Sequence, residues 1–178
     1  MRYTRDNAMA ALILAFFACM WFGWAQERPP SSWRRPLLIG AIASVILVVL
    51  GARASWQLRS SSSVFSASEA SRRYGIVVRV ETVIAAVGST AIFSSGRSEY
   101  LAPWICLVVG VHMWPIAAVL RSPSFLVLGG VLTVVAVSAV VVSGHTDVAA
   151  SAITGAGAGS ALACFSGVNA ALARWSRG

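Results

Sequence analysis

The stretch WICLVVGVHMWPIAAVLR, Trp104 to Arg121, reads as a membrane span with two residues that do not belong in one. Eighteen residues of α-helix rise ~27 Å at 1.5 Å each, close to the hydrocarbon thickness of a bilayer. The run is uncharged until Arg121, yet it holds His112 and Pro115 in its middle. Imidazole is rare in hydrocarbon. Proline, lacking an N–H, leaves the carbonyl of Val111 open to a side chain, a water or an ion.

The composition around this stretch supports the bilayer as solvent. The 178 residues are 57% hydrophobic and 11% charged, with mean hydropathy +0.76. A soluble domain carries about a quarter charged residues. The net charge is +8, all of its basic residues are arginine, and these sit in the gaps between apolar runs. That distribution is the orientation signal of membrane proteins rather than a nucleic-acid surface. Cys19, Cys106 and Cys164 fall in three different apolar runs with no CxxC, which makes them packing residues.

Outward from the opening stretch, the expected fold is an all-α integral membrane bundle of six transmembrane helices in a single domain, 1–178. The first span, 8–25, follows Arg2 and Arg5, as a signal peptide would, but it is long enough to cross. The second, 37–54, begins after Pro29, Pro30 and Pro36 and extends past Arg53 toward Trp56, the arginine snorkelling outward. Residues 53–73 hold eight serines and four arginines, which predicts a solvated loop, with Trp56, Leu58, Val64 and Phe65 able to rest on the membrane surface. The fourth span is 100–120, the fifth 124–143 and the sixth 148–173. The sixth carries Gly155, Gly157 and Gly159, a small-residue pattern that lets helices approach closely.

The third span decides where chemistry can lie. Its charge-free run after Glu81 is Thr82 to Phe93, 12 residues and only ~18 Å of helix. A crossing therefore needs 75–94, which draws Arg79 and Glu81 beneath the headgroups. Two residues apart, they point to different sides of a helix. Ala85 and Gly88 follow Glu81 at helical spacing and would seat a neighbouring helix.

Six spans put both termini on one side. The segments of that side hold nine arginines and the opposite loops four, so both termini are expected in the cytoplasm of a bacterial inner membrane. With that topology, Arg79, Glu81, His112 and Asn169 fall at similar depths in the cytoplasmic half, next to the kink at Pro115. Ionisable groups in a membrane default to a functional role. Glu81 and His112 are the expected proton- or ion-handling pair, because imidazole titrates near neutral pH. Arg79 is expected to snorkel, and Asn169 to join helices by hydrogen bonds. Glu99, His145 and Asp147 lie at helix ends where solvation accounts for them, so neither a metal site nor a cofactor is expected. Without HExxH, GxSxG or a P-loop, enzymatic chemistry is not expected either.

The segment VVGVHMWPIAAVLRSP, Val108 to Pro123, resembles one in small, uncharacterised bacterial multi-span membrane proteins, where a G-x-H-x-x-P run sits in a late helix. The resemblance covers that one helix and implies no activity. It directs attention to His112 and Pro115. Two functions remain as expectations. One is a small proton- or ion-linked transporter or channel-like protein, as a homo-oligomer or alone. The other is a non-catalytic membrane subunit that docks a partner membrane protein through the glycine-rich sixth helix.

Overall fold

A computed structural model describes residues 4–61, 63, 68–120 and 122–175. Among them every regular element is helical: α1 (Thr4–Ala25), α2 (Arg34–Gln57), α3 (Ser68–Ser94), α4 (Leu101–Leu120), α5 (Pro123–Ser143) and α6 (Ala150–Trp175), with 3-10 turns at Ser31–Trp33 and Ser98–Tyr100. All six are long and apolar enough to cross a membrane.

The first and last helices build the core. α1 buries Ala8, Ala11, Leu14, Ala18, Trp21 and Ala25, a stripe spaced by three and four residues. α6 answers with Thr154, Ala158, Leu162 and Ser166 on one side. Small residues bring the two backbones together: a Cβ placed on Gly155 would stand 2.6 Å from the Trp21 carbonyl oxygen, and one on Gly159 would stand 3.0 Å from the Phe22 ring. Ser166 Oγ donates to the Ala11 carbonyl at 2.7 Å, joining the helices by a buried hydrogen bond. α2 packs on both α1 and α6.

α4 and α5 form a second tight pair, attached to the core through α6. Gly110 and Gly129 face each other across it, and a Cβ on Gly129 would come 2.6 Å from the Gly110 carbonyl oxygen. Cys106 Sγ donates to the Leu132 carbonyl at 3.4 Å, the packing role expected of it. α4 stays helical through Pro115.

α3 stands apart. Among the described residues its one substantial helix partner is α4, and none of its membrane-length window is buried. Its lower end also corrects the expected loop over residues 53–73. The helix starts at Ser68 rather than 75, and α2 runs to Gln57, so both ends of that segment, 53–57 and 68–73, are helical. Polar composition hid this. Arg73 and Glu69 form an i,i+4 ion pair at 2.6 Å that sustains the extra turns in water. The expected surface contact of Val64 and Phe65 lies outside the described residues. Arg59 stacks over the Trp56 ring at 4.7 Å.

The remaining bounds shift by one turn or less. α1 begins at Thr4, and α2 opens at Arg34, so Arg34, Arg35 and Pro36 occupy its first turn, where proline needs no N–H partner. α2 continues past exposed Arg53, as the sequence predicts.

Candidate functional site

α3 and α4 run antiparallel, and the face expected to seat a neighbour does so. Tyr74, Glu81, Ala85 and Gly88 follow one another at spacings of seven, four and three residues, and so share one side of α3. Gly88 lies directly under the Trp104 indole, where a Cβ would come 2.2 Å from the ring. Trp104 Nε1 donates a long hydrogen bond, 3.4 Å, to the Ala85 carbonyl. Two turns further along, that contact hands over to the ionisable pair.

Glu81 Oε2 stands 3.0 Å from His112 Nδ1, with the two side chains 21% and 8% exposed. The distance is that of an ion pair, but Nδ1 lacks an aligned hydrogen bond. The imidazole therefore sits beside the carboxylate without occupying it squarely. Glu81 is thirteen residues from either end of α3, at the helix midpoint. At 1.5 Å per residue this is ~20 Å of helix on each side, and the two turns added ahead of residue 75 are polar, with Glu69, Arg72 and Arg73, so they do not carry Glu81 deeper.

Beside the pair lies a cavity of about 400 Å³ between α3 and α4. Its walls are Val77, Val80 and Ile84 from α3 and Leu107, Val111 and Pro115 from α4, with Glu81, His112 and Trp104 as the polar members. Pro115 and Val111, the residue whose carbonyl loses its donor, therefore both border the space the pair faces.

The other two expected members separate from it. Arg79 is exposed on α3 and does not line the cavity, since two residues of helix turn it ~200° from Glu81. Asn169 is buried on α6, where its Nδ2 donates to the Phe165 carbonyl at 2.8 Å on its own helix. The interhelical bond expected of Asn169 is made three residues earlier, by Ser166. Sequence reasoning missed Trp104 and Tyr74. Both had a signal: the i−7 spacing of Tyr74 from Glu81, and a glycine wide enough to receive an indole.

The pair can hold one proton between two sites. Whichever group carries it, imidazolium with carboxylate or imidazole with carboxylic acid, the pair stays neutral, so its titration belongs to both residues together. At the opposite end of the helices, His145 Nδ1 lies 2.8 Å from the Val141 carbonyl as a helix-end contact, and no group of three or more potential metal ligands exists among the described residues. No protein family matches the chain, and neither does any curated protein or solved structure.

Proposed function

We propose that this chain is a small multi-pass protein of a bacterial inner membrane, both termini cytoplasmic, that handles protons or ions at the Glu81–His112 pair. One observation carries the reading. A carboxylate and an imidazole 3.0 Å apart share the wall of a cavity at the midpoint of a membrane-length helix. An ionised side chain within a spanning helix is costly, up to about 2.5–3.5 kcal/mol at the bilayer centre, which sets such residues apart from packing residues.

The competing reading is a non-catalytic subunit that docks a partner through α6. It has less support, because Gly155 and Gly159 already receive Trp21, Ala25 and Phe22 of the same chain. Orientation rests on the excess of arginine in the segments flanking the termini.

Proteoliposomes loaded with a pH-sensitive dye test the function. Under an imposed potential the wild type should shift lumenal pH several-fold faster than empty vesicles. His112→Ala and Glu81→Gln should fall to the empty-vesicle rate while eluting as the same monodisperse peak. Equal rates for His112→Ala and wild type would remove the pair from the function. For orientation, a fluorescent protein fused after Gly178 should fold and fluoresce, while a periplasmic phosphatase fused there should stay inactive.

A further inference from the structure

We infer that the cavity between α3 and α4 binds a small amphipathic cation, an apolar body with one positive charge, held by Glu81 and admitted from the side of the bilayer. The inference rests on the proton-handling reading and names what that site would exchange for its proton.

Size comes first. A space of about 400 Å³ lies within the range of small-molecule sites, and it is too small for a two-chain lipid. Charge comes second. The lining is almost wholly apolar; its one anionic residue is Glu81, and it holds no lysine or arginine, since Arg79 faces away. A carboxylate accepts hydrogen bonds only, so its ligand must donate, and in apolar surroundings a cationic donor forms the stronger bond. Trp104 lines the same wall two turns from Glu81, so its indole meets the apolar body of the ligand while the carboxylate meets the charge.

Access comes third. Ile76, Val80, Ile84 and Val111 border the cavity and are each about half exposed. They lie along the middle of their helices rather than at the ends, so the mouth opens sideways. In a membrane that side is filled with acyl chains, which a fully hydrated ion does not cross but an apolar cation can.

Availability comes last. His112 is nine-tenths buried against the cavity, and its Nδ1 has no aligned hydrogen bond although Glu81 is 3.0 Å away. The carboxylate is thus near a donor without being committed to it. A bound ammonium would take the carboxylate, and the proton shared with His112 would leave. The titratable groups facing Glu81 are His112 from α4 and Tyr74 from its own face of α3. α5 has none, and those of α6 are Cys164, which is exposed, and Arg174.

4-Phenylbutylammonium and 5-phenylpentanoate, which share an apolar body and differ in the sign of the charged end, provide the test. Binding is followed on purified protein in detergent by calorimetry and by tryptophan fluorescence. The cation should bind and the anion should not. Glu81→Gln should weaken cation binding at least tenfold, while Arg79→Gln should stay within a few-fold of wild type. Lowering the pH from 8 to 5.5 should weaken binding, as protons compete for the carboxylate. Equal binding of both ions, or undiminished binding by Glu81→Gln, overturns the inference. Proton flux without cation binding also overturns it and leaves the proton-handling reading standing. Cation binding without flux does the reverse.

Discussion

At the scale of single residues, glycines decide how closely the helices meet, and the consequences are unequal. Gly155→Ala drives a methyl group into the Trp21 carbonyl oxygen and the Ala25 backbone, neither of which can move alone. Gly130→Ala meets nothing within 4 Å. Overpacking costs about 1–3 kcal/mol, whereas replacing an unhindered helical glycine gains about 0.5–1 kcal/mol. Unfolding in mixed detergent should therefore show Gly155→Ala less stable than wild type and Gly130→Ala equal or better. Loss of stability in both would mean that the α1–α6 approach is not the cause. A second residue-scale expectation concerns membership of the site. In a double-mutant cycle, Glu81→Gln and His112→Ala should couple by about 0.5–3 kcal/mol, whereas Glu81→Gln and Asn169→Ala should add. Coupling of Glu81 to Asn169 would restore the larger cluster that the sequence implied. That cluster was legible only in depth. Counting residues from a helix end gives height, but which way a side chain turns depends on the partner helix, and the sequence does not reveal that partner. Asn169, grouped with Glu81 by depth, bonds within its own helix instead, whereas Arg79 turns away from Glu81 as two residues of helix require. Glu81 was placed correctly because Ala85 and Gly88 marked its face as a seat.

At the scale of elements, α3 is tethered through one helix, and its contact with α4 rests on the fit of Gly88 beneath Trp104. Gly88→Val should pry this end apart without melting the α1–α2–α6 core. Hydrogen exchange read by mass spectrometry would show faster exchange in α3 with unchanged protection in α1 and α6. Uniform acceleration throughout the molecule would mean that α3 is integral to the core. The wild type should already show α3 as the fastest of the six, because it buries the least. Six apolar runs were legible from hydropathy alone, since a chain in lipid must close its own backbone hydrogen bonds and only helices do so within one segment. Their ends were less legible. Seven residues at the start of α3 look like a serine-rich loop by composition, and their helicity comes from propagation and from the Glu69–Arg73 pair.

At the scale of the whole molecule, the bundle has a firm part, α1, α2 and α6, and a looser part in which α3 and α4 enclose a cavity. The firm part tolerates no extra volume: Ala15 and Ala18 are fully buried. Ala18→Leu should abolish the monodisperse peak of the detergent-solubilised protein in size-exclusion chromatography. Phe17→Leu, on the outward face at 49% exposure, should leave it intact. If both variants elute normally, α1 is not the keystone its burial implies.

The embrace of α1 by α6 also bears on how the chain is made. A ribosome delivers α1 well before its principal partner, with four helices synthesised in between. Throughout that interval the side of α1 that α6 covers is without its partner, and the nascent bundle lacks its hub. The core must therefore wait for α6 to emerge, as a ring closes only when its missing link arrives.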